Sequence, residues 1–161
     1  MRHENLIVQI LMIVFILGAG FLGSRILANK VLANAMVETQ ANHDQMMQQI
    51  KDKISKENDA YTLTTKGARA ADKNPELAKI YLDRAVEVNK DYRDAWLWKG
   101  YAELKIGSNE QAVNSLETAA QIDPIHTETY KYLAIAYSQV GNEEKSKTAN
   151  EKYQYLSKTS E

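Results

Sequence analysis

The amino-terminal segment through Gly23 differs from the rest of the chain in how apolar and polar side chains are distributed. From Leu6 to Gly23, the sequence contains no charged side chain and one strongly polar residue, Gln9. As a helix, this run would be about 27 Å long, close to the thickness of a bilayer core. The pattern therefore predicts a hydrophobic transmembrane helix over residues 1–23, with residues 6–23 in contact with lipid.

The same segment allows other interpretations. Small residues at 18–20 could mark the cleavage site of a secretory signal, although the apolar run exceeds the roughly 7 to 15 residues usual for such signals. Ala19, Gly20 and Gly23 fall at helical spacing and either let two membrane helices approach closely or reflect the abundance of small residues in membrane spans. The flanking charges are nearly balanced, so orientation rests on the usual signal-anchor arrangement, which places the following domain outside the cytoplasm.

Residues 24–58 read as a helical stalk or linker. Neither glycine nor proline occurs between Gly23 and Gly67, so nothing in the sequence stops a helix there. Roughly alternating three- and four-residue steps trace an apolar stripe, which Gln40 and Glu57 interrupt, through Met36, His43, Met47, Ile50, Ile54 and Tyr61. This pattern is too irregular to predict a coiled coil. His43 has no second ligand at helical spacing, so no metal site is predicted there.

Beyond residue 58 the apolar pattern recurs at a fixed 34-residue offset. This offset aligns the triplets Ala78, Ala112 and Ser146, then Leu82, Leu116 and Asn150, then Ala85, Ala119 and Tyr153. A repeat of this length indicates supersecondary units that bury their apolar faces only by stacking. The sequence predicts three helix-turn-helix units, at residues 59–92, 93–126 and 127–160.

The middle unit shows how each hairpin is built. Small residues at Gly100 and Ala112 allow two helices to approach, Gly107 opens the turn between them, and Pro124 ends the second helix. The unit resembles the motif of the tetratricopeptide repeat family at Trp96, Gly100, Ala112, Leu116, Ala119 and Pro124. The resemblance implies a short α-α superhelix, which together with the long amino-terminal hydrophobic helix predicts an all-α fold.

The outer units depart from that motif. In the first unit, Thr62 replaces the aromatic residue and Gly67 is displaced by one position, so its leading helix could be the end of the stalk. In the third unit, Ser146 and Asn150 replace small and apolar residues. A more polar last helix suits the exposed end of a stack.

The two tryptophans, Trp96 and Trp98, cannot point in the same direction on one helix. They are separated by about 200°, so if Trp96 fills the hairpin core, Trp98 either packs against the first unit or faces an open surface. The family resemblance implies a groove that holds an extended or helical peptide. The candidate partner-binding residues are Leu97, Trp98, Tyr101, Lys105, Lys131 and Ile135. Ile135 stands where some family members place an asparagine that grips a peptide carboxylate, so that clamp is not expected.

Composition and motifs exclude several functions. The 20 basic and 21 acidic residues nearly cancel, which argues against nucleic-acid binding. The chain has no cysteine, its three histidines are isolated, and no phosphate-binding glycine motif is present. We therefore expect no cofactor, no metal and no enzymatic activity.

These observations lead to two competing hypotheses. The first is a single-pass membrane protein, with its repeat domain outside the cytoplasm, that acts as a scaffold for a protein or peptide partner and is capable of self-association. The second is a pilin-like structural subunit whose apolar helix packs in the core of a cell-surface filament. A third arrangement, a secreted repeat domain released by signal cleavage, would have a smaller mature mass.

Overall fold

The computed structural model describes residues 22–159, and side chains from residue 29 onward. All regular structure in that range is helical. In chain order, the helices are α1 (Leu22–Ile54), α2 (Ala60–Ala70), α3 (Pro75–Val88), α4 (Arg93–Ile106), α5 (Asn109–Ile122), α6 (Thr127–Gln139) and α7 (Glu143–Thr159). The predicted all-α fold is confirmed for these residues.

The chain divides into two compact units, Met1–Ile50 and Lys51–Glu161. In the second unit, α2 packs on α3, α4 on α5, and α6 on α7, which gives three helical hairpins. Successive hairpins join through contacts of α3 with α4 and of α5 with α6. Because α4 also touches both α2 and α6, the first helices of the hairpins form one continuous face.

Glycine, proline and capping side chains mark the ends of these helices, and Gly107 does so where the sequence predicts. Gly107 ends α4 with φ 86°, a left-handed conformation that suits a residue without a Cβ. The Asn74 side chain accepts a hydrogen bond from the Leu77 backbone N–H and caps α3, and Pro75 occupies its first turn. The leading helix of the first hairpin is a separate helix from α1, because α1 ends at Ile54 and the Asp59 side chain caps the start of α2.

In each of the first two hairpins, a glycine of the first helix lies directly against a leucine of the second helix. A Cβ at Gly100 would lie 2.5 Å from Leu116 Cγ, and a Cβ at Gly67 would lie 2.5 Å from Leu82 Cγ. Gly67 therefore performs the role of Gly100 even though its spacing is one residue short. Trp96 packs against the buried cluster around Leu116, and its indole N–H donates to the Lys90 carbonyl at 2.7 Å.

The third hairpin packs differently at its polar substitutions. The Ser146 hydroxyl donates to the Ala134 carbonyl at 2.8 Å, while Asn150 is exposed. Ala149 and Leu156 are the buried side chains of α7. The last helix thus carries polar side chains at or near the surface, at positions where α5 has buried apolar side chains.

The prediction of a single-pass membrane protein is contradicted by the helices of the structure. Within residues 22–159, no helix is both long and apolar enough to cross a bilayer. The stalk helix α1 has the length, but Lys30, Glu38 and Asp44 make it too polar, because charged groups are costly to place in lipid. Residues 1–21 of the predicted span lie outside the described residues. The same is true of Ala19 and Gly20, which were predicted to contact a second membrane helix. Gly23 lies in α1.

Candidate functional site

Three aromatic rings form a continuous cluster on the first helices of the second and third hairpins. The ring of Trp98 meets the ring of Tyr101 edge-on, with centroids 5.6 Å apart. The ring of Tyr101 meets that of Tyr132 at 5.0 Å, which carries the cluster from α4 to α6. All three side chains are half-buried. We call Trp98, Tyr101 and Tyr132, together with Lys105 and Lys131, the aromatic patch.

One edge of the aromatic patch is held by an ion pair. The Tyr101 hydroxyl donates to Asp72 Oδ1 at 2.5 Å, and Lys105 Nζ lies 3.4 Å from the same oxygen. These hydrogen bonds, first from Tyr101 and then from Lys105, lower the pKa of the Asp72 carboxyl. The same contact with Asp72 raises the pKa of both the Tyr101 phenol and the Lys105 ammonium. The negative charge of Asp72 therefore partly neutralises Lys105.

The opposite edge of the patch carries an unneutralised positive charge. Lys131 Nζ lies 5.6 Å from the centre of the Tyr132 ring, within the range of a cation-π interaction. Among the described residues, no carboxylate lies within ion-pair distance of Lys131. Burial raises the pKa of the Tyr132 phenol, so this ring stays neutral at physiological pH. Lys131 is therefore the cation of the patch that is free to meet an anion.

A shallow groove lies next to the patch, between α6 and α7. Its volume is about 610 Å³. Mostly polar side chains line it: Lys131, Ala134, Ile135, Ser138, Gln139, Glu143, Ser146, Lys147, Asn150 and Tyr153. We call this feature the end groove. Lys131 belongs to both surfaces.

The structure distributes the predicted partner-binding residues over three environments. Trp98, Tyr101 and Lys105 lie together in the aromatic patch, and Ile135, 42% exposed, lies in the end groove. Leu97 is only 3% exposed and belongs to the core cluster, so it offers no surface to a partner. Trp98 combines both alternatives of the sequence analysis, because it packs against the buried cluster around Leu82 and is only half-buried.

Two members of this surface were not predicted. Tyr132 is the equivalent of Trp98 in the next repeat unit, and that correspondence was a signal available in the sequence. Asp72 lies in the turn between α2 and α3, 29 residues before Tyr101. No local pattern connects it with α4, so only the packing of the hairpins brings it to the patch.

A buried carboxylate lies elsewhere, inside the second hairpin. Glu103 is 1% exposed, accepts a hydrogen bond from the Ser115 hydroxyl at 2.6 Å and lies 4.0 Å from Lys99 Nζ. Burial raises the pKa of its carboxyl, and the bond from Ser115 and the charge of Lys99 oppose that rise. Enclosed in this way, Glu103 is a packing element and has no access to a substrate. Within residues 22–159, no group of three His, Cys, Asp or Glu could hold a metal ion.

Comparisons with known proteins place the fold. No curated protein matches the chain. Solved structures of MamA are similar: "Crystal structure of MamA" has a TM-score of 0.60 at 22% identity, covering 74% of this chain and 71% of that one. "MamA MSR-1 C2" has a TM-score of 0.60 at 19% identity and covers 99% of this chain and 93% of that one. At this identity, the likeness establishes the fold alone.

A family match identifies the repeat. Residues 94–126 match the family model described as "Tetratricopeptide repeat". This range contains the second hairpin, from Asp94 in α4 through α5 to His126. None of the comparisons supports the pilin-like alternative. Residues 94–126 are thus similar to a tetratricopeptide repeat, and the helical domain is similar in fold to the solved structures of MamA.

Proposed function

We propose that the chain is a scaffold that binds a segment of another protein on the aromatic patch. The observation that carries the proposal is the unbroken contact of three half-buried rings, Trp98, Tyr101 and Tyr132, across two hairpins. Aromatic side chains fixed in this way present apolar area at little cost in conformational entropy, and they dominate many protein interfaces. The tetratricopeptide repeat at 94–126 supports the same class of function.

The charges around the rings favour one kind of segment. Asp72 already neutralises Lys105, while Lys131 has no anionic partner in the described part of the chain. A partner would therefore place an apolar side chain on the rings and a carboxylate near Lys131. The half-buried rings supply the contact area, and Lys131 sets the direction in which the segment lies.

The test is affinity capture from the source cells with the full chain and two patch variants. Lys131→Glu reverses the exposed charge without disturbing the core, and Tyr132→Ala removes one ring. Tyr155→Ala is the matched control, because Tyr155 is an exposed tyrosine on α7 outside the patch. Thermal unfolding of each variant establishes that it folds.

The expected result is a protein that the wild type and Tyr155→Ala retain and that both patch variants lose. A peptide from that protein should then bind the wild type directly, and Lys131→Glu should weaken binding by about tenfold, the loss of one charge-assisted contact. If both folded patch variants retain every captured protein, the patch is not the binding surface.

A further inference from the structure

Helix α1 carries apolar side chains that remain exposed along much of its length. Leu32, Met36 and Met46 are 51%, 65% and 53% exposed, and no side chain from Asn29 to Lys53 is buried. Most helices in proteins are stabilised by packing an apolar face against a neighbour, and an isolated helix gains little from propensity alone. These apolar side chains therefore need a partner surface.

Six side chains of α1, none of them buried, follow a heptad repeat that includes Leu32, Thr39 and Met46 and omits Met47 of the apolar stripe described above. With Met36 at position a, the a and d positions from Leu32 to Ile50 form alternating steps of four and three residues. They are Leu32, Met36, Thr39, His43, Met46 and Ile50, and we call them the α1 seam. The next d position of α1 holds Lys53, so the seam ends at Ile50. A repeat of about 3.5 residues keeps one line of side chains facing a second helix in a coiled coil.

Charge placement leaves the α1 seam open to an identical helix. Between Leu32 and Ile50, the acidic residues Glu38 and Asp44 fall at the outward positions c and b. The e and g positions that flank the seam hold Ala, Gln, Asn and Met, so two copies would bring no like charges together. The Gln40 side chain also donates to Asp44 Oδ1 at 2.9 Å, which holds that carboxylate within its own helix.

The two polar residues of the seam are compatible with burial. The Thr39 hydroxyl donates to the Ala35 carbonyl at 2.8 Å, so its hydrogen bond is satisfied before any association. His43 forms a single polar layer, and one polar residue at an a position commonly fixes the register of a coiled coil. A second copy in register would place like layers opposite one another.

We propose that the occupant of the α1 seam is α1 of a second copy of this chain. An identical helix presents the same a and d residues, and the e and g positions that flank them between Leu32 and Ile50 carry no charge that would repel a second copy. The polar layer at His43 would select the register. This self-association is independent of partner binding on the aromatic patch.

Cysteine crosslinking tests the proposal directly, because the chain contains no cysteine. Met36→Cys and Met46→Cys place a thiol at an a and a d position, and Ala41→Cys places one at the outward position f as the control. Disulfides form when the two Cα atoms lie about 4.4 to 6.8 Å apart, a distance met across a seam but not across outer faces. The full chain is oxidised and analysed by non-reducing electrophoresis.

A parallel pair would crosslink each seam variant to itself, and an antiparallel pair would crosslink Met36→Cys to Met46→Cys in a mixture. Either pattern supports the proposal when Ala41→Cys remains uncrosslinked. Equal crosslinking of Ala41→Cys and the seam variants would overturn it, and so would the absence of crosslinks from the seam variants both alone and in the mixture.

Sedimentation of the full chain provides a second measurement. Met46→Glu should weaken self-association by at least about tenfold, because it places carboxylates inside the seam. Val37→Glu introduces the same charge at a residue that is 69% exposed but lies at the outward position b, so it should leave association unchanged. Equal effects of these two variants would show that the association does not use the α1 seam.

Discussion

Gly100 lies so close to Leu116 that a methyl group added at the glycine would sit 2.5 Å from Leu116 Cγ. Gly100→Ala should therefore destabilise the domain. The overpacking costs about 1–3 kcal/mol, and alanine gains back roughly 1 kcal/mol in helix propensity. We expect a net loss of up to about 2 kcal/mol in the free energy of unfolding, measured by urea denaturation. The double variant with Leu116→Ala is the control, because space at Leu116 should reduce the cost of the added methyl.

The buried Glu103 should make stability fall as pH rises. Its carboxyl has a folded-state pKa above the ordinary value of 4.5, so the folded state binds a proton more tightly than the unfolded state. The contribution of Glu103 to stability is therefore full below the unfolded-state pKa and is lost as the pH rises from that value through the folded-state pKa. Glu103→Gln stays neutral and can still accept the hydrogen bond from Ser115. Its stability relative to wild type should increase with pH in thermal unfolding at a series of pH values above 4.5, and a constant difference would contradict this.

The Asn74 side chain should contribute measurably to the stability of the first hairpin. It accepts the Leu77 backbone N–H at 3.0 Å and satisfies one of the free donors at the start of α3. Asn74→Ala should lower the free energy of unfolding by about 1 kcal/mol. Asn74→Asp is the matched control, since a carboxylate caps equally well and also favours the positive end of the helix. Chemical denaturation of the two variants distinguishes the lost cap from any effect of the altered turn.

The environment of Trp98 can be measured by fluorescence. Trp96→Phe leaves Trp98 as the single tryptophan of the chain and keeps an aromatic ring in the hairpin core. Because Trp98 is half-buried, acrylamide should quench it less than free tryptophan but more than a fully enclosed indole. Complete protection from acrylamide in the folded protein would contradict a role for this ring in the aromatic patch.

Much of the helical architecture could be predicted from local features of the sequence. Gly107 and Pro124 mark helix ends through backbone geometry alone, and the 34-residue offset identifies which residues are equivalent in successive hairpins. Gly67 was less evident because its spacing is one residue short, yet its contact with Leu82 matches that of Gly100 with Leu116. The position of this glycine is therefore set by the contact between the two helices of its hairpin and not by the 34-residue period.

The surface could be predicted only in part, because exposure depends on which helix covers each position. Leu97 and Lys131 are equivalent in successive repeat units, but Leu97 belongs to the core whereas Lys131 lies in the end groove. The end groove has no following hairpin in the described chain, so the residues equivalent to buried ones remain in solvent. A repeat pattern shows that two positions are equivalent, but it does not show whether a neighbouring helix covers each of them.

The contact between Asp72 and Lys105 would limit the binding of anions at the proposed partner site. The Asp72 carboxylate already lies 3.4 Å from Lys105 Nζ, so an acidic segment would gain a contact with this lysine only by displacing an internal anion. A ligand attracted by charge alone would therefore gain little at this edge, and a ligand that also covers the rings would be favoured. On this proposal, Asp72 would select against indiscriminate binding of acidic chains.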